Sequence, residues 1–145
     1  MSEPMRAILI ILLGIYACLA HAYKPSDLVG TWKSNEKMTL ASMEATPDIP
    51  EKNRAFFRNH FFGRLVVVSK PESSAVYFAD EKPEKLAFRN HKITQLSETE
   101  FRVTYPDEPT SEDSAGVITL HGNCYSVEVS KWKFREYFCL TAKNS

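Results

Sequence analysis

From residue 63 onward the chain alternates apolar and polar positions in short runs separated by turn-forming residues, the period-two signature of half-buried β-strands. Such runs occupy residues 64–69, 74–79, 86–96, 101–105, 116–121, 124–130 and 133–141, and a further run at 29–33 brings the expected strands to eight. Their mostly tight connections predict an antiparallel meander, and closing it into an eight-stranded up-and-down barrel removes exposed strand edges. Residues 34–62 break the alternation. Within them, 35–45 reads as a short helix with Met38, Leu40, Ala41 and Met43 as its apolar residues. A second helix is signalled by Asp48-Ile49-Pro50-Glu51, which has capping-box spacing with Pro in the first turn, and by Gly63 as its C-terminal glycine. The fold class is therefore mainly β, with a helix-turn-helix insertion after the first strand.

The N-terminal segment has a different texture. Residues 7–20 form an apolar run of 14, preceded by Arg6 and followed by Ala20-His21-Ala22. That is too short to span a bilayer, and its flanks are those of a secretory signal peptide cleaved after Ala22. The expected organisation is a cleaved leader at 1–22 and one domain at 23–145, exported to a periplasm or secreted. Starting at Met5 instead of Met1 would free the leader of Glu3. A rival reading takes Ile15-Tyr16-Ala17-Cys18 as a lipoprotein box, with Cys18 acylated and the protein held to a membrane.

Of the three cysteines, Cys124 and Cys139 remain after cleavage, an even number in a compartment that permits disulfides. Folding the chain between them near Lys131-Trp132 sets Cys124 opposite Cys139, Glu128 opposite Arg135 and Val129 opposite Phe134. The same register gathers Tyr125, Val127, Val129, Phe134 and Phe138 on one face. A structural bridge is the expectation. Lys-Trp is a poor two-residue turn, so a wider loop or slipped register stays open.

The segment Leu28-Val29-Gly30-Thr31-Trp32, led in by Pro25-Ser26-Asp27, resembles the G-x-W opening of the lipocalin and calycin barrels. The resemblance implies an eight-stranded barrel plugged at one end, with Gly30 and Trp32 at its base and Arg135 from the last strand covering the indole. The helix pair is similar to the lid of fatty-acid-binding proteins. The long C-terminal helix of lipocalins has no counterpart, because only residues 142–145 follow the last strand. Fold likeness of this kind points toward ligand binding without identifying a ligand.

Charge and composition exclude more than they nominate. Eighteen Lys and Arg balance eighteen Asp and Glu, so no basic surplus draws the protein to nucleic acid. His60, His91 and His121 lack zinc-site spacing, and Asp107, Glu108, Glu112 and Asp113 lack the glycine and ligand pattern of a calcium loop. Neither a metal nor a cofactor is expected, and nothing nominates a nucleophile with its base, so no enzyme is expected.

The distinctive local feature is Arg54-Ala55-Phe56-Phe57-Arg58-Asn59-His60-Phe61-Phe62-Gly63-Arg64. On a helix, Phe57 and Phe61 are i,i+4 neighbours. One reading makes Phe56, Phe57, Phe61 and Phe62 a lid over an apolar cavity, with Arg54, Arg58 or Arg64 meeting an anionic head group. The other makes the rings core and the arginines solvated. Trp132, between Lys131 and Lys133, is either a partner contact or folded onto the barrel rim. The functional expectation is an exported, monomeric binder of a small apolar or anionic amphiphile. The alternative is a filled-barrel interaction module, such as an inhibitor or envelope-assembly factor, acting on a protein partner through its loops and the Trp132 hairpin.

Overall fold

The computed structural model describes residues 22–107 and 116–142. The expected leader (apart from Ala22), Cys18, Met5 and most of the acidic stretch lie outside the described residues. A 3-10 turn (Pro25–Leu28) leads into β1 (Gly30–Ser34), and the helices α1 (Glu36–Ala45) and α2 (Glu51–Arg58) follow. The rest is strand: β2 (Leu65–Ser69), β3 (Ser73–Phe78), β4 (Arg89–Asn90), β5 (Lys92–Gln95), β6 (Glu100–Thr104), β7 (Gly116–His121), β8 (Cys124–Glu128) and β9 (Arg135–Ala142).

The strands form one antiparallel sheet in the order β4-β3-β2-β1-β9-β8-β7-β6-β5, curled into a nearly closed barrel. Among the described residues there are nine strands where the sequence pattern suggested eight. The extra one arises because the run at 86–96 changes partner midway: Arg89 and Asn90 pair with Ser74 and Ser73, whereas Lys92 to Gln95 pair with β6. His91 stands at the switch, its N–H donating to Glu72 O at 2.9 Å. The two sheet ends are thus joined through a single residue, and the ring is completed by the chain rather than by a full ladder.

The helix pair follows β1 as expected, but α2 is shorter than its sequence signals. Asp48 adopts φ 66° and does not cap; Pro50 occupies the N-cap position, and the helix stops at Asn59. His60 then takes φ 55°, which turns the chain so that Phe61 and Phe62 lie beyond the helix. Gly63 reverses it again at φ 86°, and a Cβ there would meet the Glu36 Cβ at 3.1 Å. Asn35 caps α1 by accepting from the Met38 N–H at 3.0 Å.

Hydroxyls as well as apolar residues seat α1. β9 outruns β1, whose last pair is Ser34 with Phe138, so β9 has bare N–H groups beyond that point. Thr39 Oγ1 accepts from the Tyr137 N–H at 3.0 Å and Ser42 Oγ from the Arg135 N–H at 2.9 Å. Asn35 N–H donates to Tyr137 O at 2.7 Å. The helix therefore acts as the missing strand, satisfying donors that burial would otherwise leave without partners.

Two apolar clusters result. Leu28, Trp32, Phe101, Leu120, Tyr125 and Phe138 fill the lower barrel, where the indole Nε1 donates to Leu28 O at 2.9 Å. Met43, Ile49, Phe57, Phe62 and Phe134 form a second cluster beneath the helices, the cap cluster, against which Trp132 packs half-buried. The β8–β9 register pairs Cys124 with Cys139 and Glu128 with Arg135, and Val129 N–H donates to Phe134 O at 2.8 Å. The disulfide is formed, with Cα atoms 4.0 Å apart. The loop is wider than two residues, and Lys133 supplies its left-handed turn at φ 61°.

Candidate functional site

Residues at alternating positions of the strands point inward and surround a cavity of about 200 Å³. Trp32, Val67, Val76, Ile93, Ile118 and Phe138 supply most of its apolar wall, and Leu28, Tyr125, Val103 and Val127 add to it. Val76 is exposed and marks a way in. Polar groups gather on one side: Ser69, Ser74, His91 and Tyr105. The Ser74 and Tyr105 hydroxyls lie 3.4 Å apart, Arg89 covers the Tyr105 ring at 4.6 Å, and His91 Nε2 is 3.3 Å from Pro71 O. Burial pushes the Tyr125 phenol well above its ordinary value, so it stays a neutral hydroxyl throughout the physiological range.

The arginine and phenylalanine residues singled out by sequence do not line this cavity. Phe57 and Phe62 are buried in the cap cluster, 7% and 5% exposed, whereas Phe56 and Phe61 turn outward at 59% and 50%. Phe57 and Phe61 still touch, with centroids 5.4 Å apart, through the turn after α2 rather than along a helix. Arg54 is a clamp: its guanidinium donates to Met43 O and Thr46 O at 2.6 Å and to Ile49 O at 3.1 Å, closing the α1–α2 turn. Arg58 is held by Glu44 at 2.7 Å and Glu51 at 2.6 Å. Arg64 faces Asp80 at 3.3 Å and lies 4.8 Å over the Phe78 ring. Each guanidinium is engaged by the protein itself, away from the barrel interior.

Arg135 does not cover Trp32. Odd positions of β9 face outward, and its guanidinium donates to Ser126 Oγ at 2.7 Å, Ser126 O at 3.0 Å and Thr119 Oγ1 at 3.0 Å. The ring that contacts the Trp32 indole is Tyr125, edge-on at 4.9 Å. Gly30, beside Trp32 in β1, pairs with Ser69. The histidines are dispersed: His60 lies 3.8 Å from Glu36, His91 at the cavity and His121 3.4 Å from Ser126. Among the described residues no group of three His, Cys, Asp or Glu side chains is placed to hold a metal, and no helix is long and apolar enough to cross a membrane.

One inward group was missed by the sequence reading. Glu136 pairs with Val127, so its side chain shares the inner face with Val127, Tyr125 and Phe138. Burial pushes its carboxyl from 4.5 up to about 7, with partial relief from the Ser34 hydroxyl. The signal was present in the period-two row of Phe134, Glu136 and Phe138, which sets one acid between two buried rings. Because the folded protein holds this proton more tightly than the unfolded chain, stability is highest below pH 4.5 as far as this group is concerned. It declines as pH rises to about 7, by on the order of 2 kcal/mol after allowance for residual solvent contact. Urea unfolding at pH 5 and pH 8 should show Glu136→Gln losing less stability across that interval than the parent; equal losses would contradict the burial of this carboxyl.

Comparison with protein-family models, with curated proteins and with solved structures finds no match to this chain. What the fold itself defines is a mainly β, nearly closed antiparallel barrel with two helices, compatible with a calycin-type architecture.

Proposed function

We propose that this protein is an exported, calycin-like barrel that binds a small, largely apolar molecule in its interior. The observation that carries the reading is the cavity of about 200 Å³ walled by inward Val, Ile, Trp and Phe side chains and opening beside Val76. A dry cavity of about 150 Å³ already accepts benzene, so this one suits a ring or a chain of about six to eight carbons rather than a long acyl chain. The disulfide fits an oxidising compartment. The expected preference for anionic head groups loses its basis, since Arg54, Arg58 and Arg64 are engaged elsewhere. The second reading, a protein-interaction module, draws support from the exposed Phe56 and Phe61, which form a contiguous pair with centroids 5.2 Å apart.

The chain has two tryptophans, and Trp32 lines the cavity, so a Trp132→Phe variant carries one reporter at the site. Burying a six-carbon chain yields about 4 to 5 kcal/mol before ordering costs, and those costs place the expected dissociation constant of hexanol at about 1 mM or above. Titration should give a saturable change in Trp32 emission, weakened by the cavity-filling substitution Val76→Phe. Emission that stays constant up to the solubility of hexanol would remove this reading and favour the interaction module.

A further inference from the structure

We infer that Glu136 makes the cavity selective for small amphiphiles bearing a protonated amine, holding the ammonium at the end of the barrel beneath the helices. This deepens the ligand-binding reading and rests on it. Val127, directly opposite Glu136, and Phe138, two residues along the same strand, both line the cavity. Two residues of strand span about 7 Å, so the carboxyl sits one step beyond the apolar wall on the same inner face. A ligand with its chain against Phe138 and Val127 has its head directed at Glu136 or at the Ser74–Tyr105 side.

The neighbours of Glu136 leave it without a counter-ion. β1 presents the Ser34 hydroxyl, which also accepts from the Gly63 N–H at 3.0 Å, and β8 presents the neutral Tyr125 phenol. On its own strand Arg135 projects to the outer face and is held by Ser126 and Thr119. Ahead of β2, Arg64 is held by Asp80. From α1, Glu36 lies beside Gly63 and 3.8 Å from His60, adding an acid to this end. Among the described residues no ion pair includes Glu136.

An inward acid with no cation is costly to fold, and folding has already incurred that cost before any ligand arrives. A bound ammonium, with a lysine-like pKa of about 10.4, supplies the missing charge and finds an acceptor already stripped of most of its water. A carboxylate head at the same point meets like charge, and an alcohol gains only a neutral hydrogen bond. Burial that raises the Glu136 carboxyl toward neutrality agrees with this, because the same apolar surroundings that disfavour the lone anion favour its pairing.

The test uses hexylamine, hexanol and hexanoate at pH 8.5, followed by calorimetry and by Trp32 emission in the Trp132→Phe background. Hexylamine should bind about tenfold tighter than hexanol, and hexanoate more weakly than either. Glu136→Gln should bring hexylamine down to the affinity of hexanol while leaving hexanol within about twofold, and Glu136→Asp, as a second variant, should keep a reduced amine preference. Lowering the pH to 5.5 should weaken hexylamine in the parent protein and leave hexanol unchanged. Hexanol binding as tightly as hexylamine, or an amine preference that survives Glu136→Gln, would overturn the inference while leaving the ligand-binding reading intact. Binding of none of the three would overturn both.

Discussion

Replacing Phe134 by alanine is expected to lower stability by about 3 to 5 kcal/mol, whereas Phe56→Ala should change it by less than about 0.5 kcal/mol. Phe134 is 1% exposed and packs edge-on against both Phe57 and Phe62, with centroids 5.4 and 5.8 Å away. It stands immediately before β9, and in the cap cluster it is the buried ring that comes from the barrel side, so truncating it opens a void at the seam between barrel and helices. The surrounding rings can close that void only by shifting α2, whose turn is fixed by the Arg54 clamp on Met43, Thr46 and Ile49. Phe56 is 59% exposed and touches rings that are already supported from beneath. Urea midpoints for the two variants should therefore separate widely, with near-ultraviolet dichroism of Phe134→Ala losing aromatic signal before the far-ultraviolet strand signal falls. Equal midpoints would contradict the placement of Phe134 at the seam.

That contrast also shows what a sequence can and cannot convey about this chain. Strand positions and the β8–β9 register were legible because period-two alternation and two cysteines point to one answer, and a one-residue slip would invert every inward side chain. The cap was legible only as helices. Met38, Leu40, Ala41 and Met43 stand out in the sequence as the apolar residues of the first helix, yet Ala41 is exposed and the face toward β9 carries Asn35, Thr39 and Ser42 at i, i+4 and i+7. Polar residues at that spacing read as a solvated face until the unpaired N–H groups of β9 are in view. The aromatic and basic run stays out of the cavity lining for a related reason. Side-chain types were informative, but two left-handed residues flanking Phe61 and Phe62, His60 and Gly63, decided which rings went inward, and backbone carbonyls and local carboxylates took up the arginines. The cavity lining was encoded in ordinary alternation, which marks a core and a pocket in the same way, so only closure of the ring distinguishes them.

Breaking the Cys124–Cys139 bridge is expected to cost about 3 kcal/mol, the loop-closure value for a link spanning about 15 residues. The bridge joins two residues already paired across the β8–β9 ladder, so it adds its effect chiefly by restricting the unfolded chain. Its outer side is covered by α1: Asn35 Nδ2 and Met38 Sδ each lie 3.7 Å from Cys139 Sγ. Replacing both cysteines by serine removes the covalent link and sets two hydroxyls beneath the helix, while the Val129–Phe134 hydrogen bond and the Tyr125–Phe138 stack, 5.1 Å between centroids, keep the hairpin in register. The double variant should therefore fold to the same barrel with a lower urea midpoint, and adding a reductant to the parent protein should reproduce most of that loss without affecting the variant. A loss of this size multiplies the unfolded fraction by about a hundred, enough to matter for a domain whose total stability is about 5 to 15 kcal/mol. Midpoints unchanged by reductant would show the ladder and the two apolar clusters to be sufficient alone.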